Sequence, residues 1–466
     1  MKEKTFEQQT AAFEKRVNYG VSYDVFRRGF LAGGRRCALY MIDGNTDQDE
    51  IALLLSRLMA CPAGENGEMR AVREIVDSFM PFGEIKPLQD GNQAVKTFLS
   101  GVPVLLMEGC GPLMVDARNI PQRRTTEPDK ERTLRGSHDG FVEILSVNSS
   151  LLRRRIHSED LVIEDLKAGR TFESDVLLCY MRGRADGSYL EKLRERIRSA
   201  LSEGLVMNQE SLSEYLVPQK FWNPFPRIRQ TERPDMAAAA ILEGHVVVMA
   251  DNASTVMILP ARLADFLKEA NDYYFPPFVG TYYRWIRLLM MLTAVSLTPL
   301  VLLLNQIRDA LSPAWEFLLV NEKAEIPLYF QFLVYEALTG MLRMSALNTP
   351  HNVGNVISIV VGAVVGEFAV SAGWASAEVV YLMSFVSVTV YAQQNLELGY
   401  ALKFIRLLWL TATALLGRTG FFLVPPVILF LLALMRTDDG KPYLAPLLPF
   451  RPGELSPLFK RSRIKR

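Results

Sequence analysis

The feature that most constrains this chain is a change in composition near Arg287. A charged, water-soluble stretch precedes it, and apolar runs follow it as far as Met435. Residues 288–304 carry no charge, and a helix of that length crosses most of a hydrocarbon core. One such run would also suit the core of a soluble protein, but three more apolar runs follow. The sequence therefore predicts a membrane domain joined to a soluble part.

Aromatic side chains cluster at 273–285, just before the first apolar run. Such side chains suit the headgroup interface of a membrane. Arg284 and Arg287 stand beside them, and basic residues at this place favour the cytoplasmic side.

The soluble part contains an internal repeat. An apolar strand at 36–44 leads into a helical pattern, and 175–183 repeats it, with Tyr40 and Tyr180 at equivalent places 140 residues apart. Later in each half a helix ends in glycine before a pair of strands. This pattern predicts an α/β soluble part of two similar lobes. The sheets are expected to be mixed rather than wholly parallel, because short loops join the strand pairs.

Six domains follow from these boundaries. They are an N-terminal extension, a first α/β lobe, a charged connector with an amphipathic helix, a second α/β lobe, a helical all-α polytopic membrane domain and a basic cytosolic tail. In that order they cover 1–35, 36–120, 121–159, 160–270, 271–436 and 437–466.

Nothing in the soluble part indicates enzyme chemistry. It has no Walker A pattern, no GxGxxG after a strand, no HExxH and no GxSxG. The formal net charge of +1 gives no reason to expect nucleic acid as a partner. We therefore predict no catalytic residue, no cofactor and no metal. The two lobes either bind a small ligand between them or serve as a docking platform for partners or neighbouring copies.

The cysteines and one arginine run are the remaining features of this part. The cysteines lack disulfide or zinc spacing and are expected to be buried as small apolar residues: Cys37, Cys61, Cys110 and Cys179. The run Arg153-Arg154-Arg155 closes the amphipathic helix of the connector. It indicates a solvated face or a surface for an anionic partner or the membrane.

The membrane half is less regular than a simple anchor. Its segment 326–347 carries Glu336 and Arg343 on one helical face, and charges at such depth tend to face a bundle interior or water. Small residues then recur at every fourth position, which lets helix backbones approach closely. These helix-packing candidates are Gly354, Ser358, Gly362 and Gly366.

A polar stripe follows on the next apolar run. It consists of Ser384, Ser387, Tyr391 and Gln394. The stripe suits either a hydrated pore or hydrogen bonds between helices. The carboxylates of Glu367 and Glu397 are candidates for the two ends of such a pore, and Glu336 and Arg343 are further pore-lining candidates.

The topology is predicted from the basic flanks and from the absence of a secretory signal in the first residues. Both termini are expected on the cytosolic side. Six apolar pieces supply an even number of crossings if every one of them spans, although the piece at 404–416 is short and suits a re-entrant or tilted helix.

Several motifs occur in the same order as in a known family. The segments at 222–227, 231–235, 242–246 and 397–402, with Arg135-Gly136 and the Arg153 run, resemble the A subunits of GerA-type spore germination proteins. The resemblance covers about 36–450. Four further motifs, at 279–282, 348–350, 365–367 and 401–404, resemble the stage V sporulation branch of that family.

The resemblance implies a germination protein of the inner spore membrane, with both termini facing the spore core. It implies a ring-like homo-oligomer that conducts cations released early in germination, and a B-type germination membrane protein as partner. Lipid is its other partner. A non-conducting scaffold for germination receptors and a secondary transporter are the alternatives, although the membrane half lacks the repeated broken segments that many transporters have.

Overall fold

The computed structural model describes residues 5–63, 75, 85–117, 136–168, 174–199, 209–219, 221–322, 324–348, 366–393 and 395–451. The chain forms two compact units. The first, which we call the α/β unit, comprises Met1–Gln219 and Ile228–Pro260. The second, which we call the helical unit, comprises Lys220–Arg227 and Ala261–Arg466.

The α/β unit begins with a five-stranded sheet in the order β1-β2-β4-β5-β3. The described elements are α1 (Phe6–Val17), β1 (Val25–Ala32), β2 (Arg35–Ile42), α2 (Gln48–Met59), β3 (Ile85–Pro87), α3 (Gly91–Leu99), β4 (Val104–Met107) and β5 (Leu113–Val115). Side chains alternate between the two faces of a strand. Cys37 and Leu39 therefore face α2, while Ala38 and Tyr40 face α1 and α3.

The first strand belongs to this sheet and the first helix packs on it, so neither forms a separate extension. β1 pairs with β2 along its whole length, from Val25 opposite Ile42 to Ala32 opposite Arg35. On α1, Phe13 packs on Tyr40 with ring centroids 4.8 Å apart. Residues 1–35 are not recognisable in the sequence as part of the lobe, because the charges of α1 hide a short apolar stripe.

A second five-stranded sheet repeats the architecture in the order β6-β7-β9-β10-β8. Its elements are α4 (Leu145–Arg155), β6 (Leu161–Ala168), β7 (Ser174–Met181), α5 (Gly187–Arg198), α6 (Gln209–Leu216), β8 (Arg229–Thr231), α7 (Pro234–Leu242), β9 (Val246–Ala250) and β10 (Val256–Leu259). One face packs on α5 and α6, and the other packs on α4 and α7. Strands covered on both faces read as apolar runs, as β9 does.

The expectation of mixed sheets is wrong, since every strand pair in the described residues is antiparallel. After β2 the chain crosses to the far edge of the sheet and forms β3, which runs opposite to β2 and in the same direction as β4. Strand β8 has the same role in the second sheet. Both edge strands are three residues long, too short to show a period in the sequence.

Three of the four cysteines are buried, as predicted: Cys37, Cys61 and Cys179. Cys110 is half-buried. Burial raises the pKa of the Cys37 thiol to about 12, so the thiol stays protonated at neutral pH and acts as an apolar side chain.

The arginine run on α4 is not a solvated face. Arg153 is 2% exposed and bonds Asp24, and Arg155 bonds Ser137 and Asp139. Only Arg154 is exposed. The sequence interpretation was wrong because it treated three consecutive arginines alike, although consecutive helical residues point in different directions.

The helical unit consists of helices joined by short 3₁₀ turns. Its described helices are α8 (Ala270–Tyr274), α9 (Pro277–Gln306), α10 (Leu328–Asn348), a short helix at 366–371, α11 (Ala377–Tyr391), α12 (Leu396–Leu416) and α13 (Arg418–Leu434). Two of them, α9 and α12, are long and apolar enough to cross a membrane. Two shorter apolar helices cover Ala377–Val390 and Arg418–Leu434.

The helix predicted as short at 404–416 is longer in the structure. α12 begins at Leu396, where the Asn395 side chain accepts a hydrogen bond from the Leu398 backbone N–H as an N-cap. The first turns of α12 carry Glu397, Lys403 and Arg406, and these charges hid its beginning from a hydropathy argument.

Candidate functional site in the helical unit

Glu336 lies at the centre of a buried charge cluster between α10 and α12. This residue is 6% exposed. One carboxylate oxygen lies 3.0 Å from Nζ of Lys403, and the other accepts a 2.5 Å hydrogen bond from Arg406. Arg406 also donates a 2.6 Å hydrogen bond to the carbonyl oxygen of Ala294 on α9. Glu336 and Arg406 together therefore join α10, α12 and α9.

The cluster borders a small cavity. Its volume, measured for the centre of a water molecule, is about 30 Å³. This is enough for a bound water. Residues of α10, α11 and α12 line the cavity. They are Glu336, Thr339, Gly340, Arg343, Ser387, Val390, Tyr400, Lys403 and Arg406. Glu336 is the one acidic residue of this lining, which has three cationic ones in the part of the chain that the structure describes.

Arg343 lies toward one end of this cavity. Its guanidinium carbon is 4.9 Å from the ring centroid of Tyr400, within the range of a cation–π contact. Arg343 follows Glu336 on α10, whereas Tyr400 precedes Arg406 on α12. The two helices therefore run antiparallel, and the cavity continues from the Glu336–Arg406 pair toward the beginning of α12.

The polar stripe expected on α11 divides between two surroundings. Ser384 is exposed and Ser387 lines the cavity. Each hydroxyl donates a 2.8 Å hydrogen bond to the carbonyl four residues earlier, Val380 for Ser384 and Met383 for Ser387. Tyr391 ends α11, and Gln394 lies outside the described residues.

The carboxylates of Glu367 and Glu397 are both exposed. Glu397 lies in the first turn of α12, where the helix dipole stabilises a negative charge. Glu367 follows Gly366 on the short helix at 366–371.

One of the four small residues expected to pack helices lies in the described part of the chain. A Cβ added to Gly366 would lie 3.6 Å from Cγ1 of Val380, so this glycine faces α11 of the same chain. Gly354, Ser358 and Gly362 lie outside the described residues.

A second buried charge cluster lies at the beginning of α9. Asp272, which is fully buried, accepts hydrogen bonds of 3.1 Å from Arg284 and from Arg287. Arg287 also lies 2.5 Å from a carboxylate oxygen of Glu269. Both arginines were predicted beside the headgroup interface, and in the structure both bond the same carboxylate, Asp272, which lies 12 residues before Arg284 and 15 before Arg287.

Lys403, Arg406 and Tyr400 were not predicted as site residues from the sequence. A signal was available, because Lys403 and Arg406 are three residues apart in an otherwise apolar helix and so lie on one face. The prediction began the apolar segment at Phe404, which left Lys403 outside and gave Arg406 no partner.

Comparison with known families gives one match over nearly the whole chain. The profile described as "Bacillus/Clostridium GerA spore germination protein" matches residues 12–466.

Three proteins of Bacillus subtilis (strain 168) are similar to this chain over most of its length. "Stage V sporulation protein AF" is 32% identical over 439 residues, 94% of this chain and 88% of the relative. "Spore germination protein KA" is 25% identical over 445 residues, 94% and 81% of the two chains. "Uncharacterized membrane protein YfkQ" is 28% identical over 381 residues, 79% and 74% of the two chains.

Among solved structures, the chain is similar to the N-terminal domain of the A subunit of the Bacillus megaterium spore germinant receptor GerK3. The TM-score is 0.41 at 22% identity, covering 54% of this chain and 93% of that one.

Proposed function

Because the chain belongs to the GerA family of spore germination proteins, we propose that it acts in germination as a membrane protein whose copies assemble to conduct cations. In this proposal α9 and α12 cross the membrane, and the proposal assigns no enzymatic activity. The location is the inner spore membrane, and a B-type germination membrane protein is the partner.

One observation carries the conduction proposal. Glu367 and Ser384 are exposed polar residues of the helical unit. They lie on either side of one contact between the short helix at 366–371 and α11. Gly366, beside Glu367, faces Val380, and the carbonyl of Val380 accepts the hydroxyl of Ser384. A carboxylate that faces lipid is costly, whereas a carboxylate that faces water between copies attracts cations.

The neighbouring exposed side chains favour a contact between copies. Three residues on the Ser384 face of α11 are apolar or aromatic and more than a third exposed, namely Tyr381, Phe385 and Val388. In an assembly these would pack against a second copy and leave Glu367 and Ser384 at the edge of a water-filled path. Such packing is the main attraction between helices in lipid.

The cavity at Glu336 does not suit a cation path. Among the described residues that line it, the one carboxylate, Glu336, already bonds Lys403 and Arg406 and is not available to a passing cation. The proposal therefore separates Ser384 and Glu367, which it places at the path, from Ser387, Glu336 and Arg343, which it places at a different site.

Potassium flux through the purified protein in liposomes tests the proposal. Glu367→Gln and Ser384→Leu should lower flux severalfold without loss of assembled protein, measured by light scattering. Glu316→Gln, which removes an exposed carboxylate from a 3₁₀ turn, should leave flux unchanged. Parent flux in both path variants would remove this face of α11 from the proposal. Absence of flux from the assembled parent protein would favour a scaffold.

Orientation forms a separate part of the proposal. We place residues before Arg287 and after Arg436 on the side of the spore core. A cysteine introduced at Ser462 should resist a membrane-impermeant maleimide added outside intact vesicles of native orientation. Labelling from outside would contradict this placement.

A further inference from the structure

Two segments of the helical unit that lie outside its long helices expose large apolar side chains. In the loop at 221–227, Phe221 and Trp222 are 90% and 88% exposed. Their rings meet edge to face, with centroids 5.1 Å apart. The segment at 443–450 exposes three more such side chains, namely Leu447, Leu448 and Phe450. We call these five residues the apolar patch. Exposed apolar surface of this kind marks contact with a partner or with a membrane.

Buried contacts fix the two segments to each other. The rings of Phe225 and Tyr443 pack with their centroids 6.3 Å apart, and both side chains are buried. The Tyr443 hydroxyl donates a 2.7 Å hydrogen bond to the carbonyl oxygen of Pro226. The Asn223 side chain accepts a 3.1 Å hydrogen bond from the backbone N–H of Phe225, next to Trp222 in the chain. The exposed rings therefore stand on an ordered loop.

The apolar patch lies beside one end of the helices that we place across the membrane. Phe225 and Tyr443 share a buried cluster with Leu398, in the first turn of α12. Arg227 donates a 3.1 Å hydrogen bond to the carbonyl oxygen of Arg436, just past the end of α13. The 21 residues of α12 span about 32 Å, against a hydrocarbon thickness of about 30 Å. If α12 crosses, its first turn and the loop beside it lie at the boundary between hydrocarbon and headgroups.

The same end of the helical unit carries another exposed tryptophan. Trp285 of α9 is more than half exposed. It stands two residues before Arg287, which donates a hydrogen bond to the carbonyl oxygen of Leu267, next to Phe266 of the same buried cluster. Tryptophan side chains collect at the membrane–water interface, because the ring is apolar and its N–H group is polar. This position favours lipid as the occupant of the apolar patch.

We propose that the apolar patch inserts into the membrane surface beside α12, at the depth where headgroups meet acyl chains. Phe221 and Trp222 are its main insertion residues, and the buried contact between Phe225 and Tyr443 holds them at that depth. The chain leaves the α/β unit after Gln219 and returns to it at Ile228, so the inserted loop is an excursion from that unit. The inference rests on the proposed crossing of α12.

Spin labels on the full chain, in nanodiscs of phosphatidylcholine and phosphatidylglycerol, measure the depth of the apolar patch. Cys110→Ser first removes the half-buried native cysteine. A nitroxide is then attached after Trp222→Cys. Oxygen concentrates in lipid, whereas a nickel chelate stays in water. Compared with a label attached after Arg154→Cys, at an exposed position on α4, this label should be severalfold more accessible to oxygen and severalfold less accessible to the chelate.

Two further positions make the outcome decisive. Leu448→Cys reports on the second segment, should give the same result and serves alone if the Trp222 variant does not fold. Leu408→Cys, at an exposed site near the middle of α12, reports whether that helix crosses. Water at Trp222 or Leu448, with lipid at Leu408, would overturn the inference and leave the crossing standing. Water at Leu408 would overturn both. A patch label that neither reagent reaches would show a protein partner or a second copy in place of lipid, and would also overturn the inference.

Discussion

Arg153 donates two hydrogen bonds to the carboxylate of Asp24, one from Nε and one from Nη2, each 2.9 Å long. Arg153 belongs to α4, which covers the second sheet, and Asp24 directly precedes β1 of the first sheet. The side chains are 2% and 0% exposed. Arg153 also donates to the hydroxyl of Ser22. This pair therefore joins the two sheets of the α/β unit.

Arg153→Leu should lower the free energy of unfolding by about 3–5 kcal/mol, because it leaves the Asp24 carboxylate buried without its cation. Thermal unfolding of the detergent-solubilised chain, followed by near-ultraviolet circular dichroism, measures the effect. Arg154→Leu, at the exposed neighbour, should change stability by less than about 0.5 kcal/mol. Equal effects of the two variants would show that the pair does not stabilise this junction.

The sequence predicted those parts of the fold that rest on periodicity. The strands around Tyr40 and Tyr180 are apolar on both faces, and the helices after them have clear apolar stripes, so the two similar lobes could be recognised. Strands β3 and β8 could not be recognised, because three residues give no period. Arg153 and Asp24 are 129 residues apart, and no local pattern indicates that they meet.

The candidate site was predictable only in part, for a related reason. Glu336 and Arg343 stand out as charges in an apolar segment, and both line the same cavity. Their partners on α12 were hidden, because charges lower the hydropathy that marks a membrane helix. Ser384 and Ser387 look equivalent in sequence, yet a rotation of three residues places one at the surface and the other at the cavity.

Glu336→Gln should destabilise the helical unit by about 3–5 kcal/mol, since it leaves Lys403 and Arg406 without their shared carboxylate. Thermal unfolding in nanodiscs, reported by tryptophan fluorescence, provides the measurement. Glu367→Gln neutralises an exposed carboxylate and should change stability by no more than about 0.5 kcal/mol. A Glu336→Gln protein as stable as the parent would argue against a structural role for the ion cluster.

Tyr443→Phe should cost about 1–3 kcal/mol, because it removes a hydroxyl that donates a 2.7 Å hydrogen bond to the carbonyl oxygen of Pro226. Tyr443 is fully buried, so water cannot replace that bond. Tyr381→Phe, at a side chain that is 71% exposed, serves as the matched control and should be nearly neutral. Thermal unfolding midpoints of the two variants and the parent, measured in one detergent, test this loss of stability.

The stability of the α/β unit should fall in acid through Glu164. Burial raises the pKa of this carboxyl, but hydrogen bonds from Arg194 and Tyr180 outweigh burial and hold the pKa below its ordinary value of 4.5. A group whose pKa is lower in the folded chain stabilises it above the unfolded pKa, and this contribution disappears as pH falls through the folded value. Unfolding midpoints between pH 7 and pH 3 should therefore decline less steeply in Glu164→Gln than in the parent. Glu191→Gln alters the other carboxylate paired with Arg194, which is 74% exposed, and should keep the parent slope. If the slopes of the parent and Glu164→Gln coincide, other carboxylates govern the acid response.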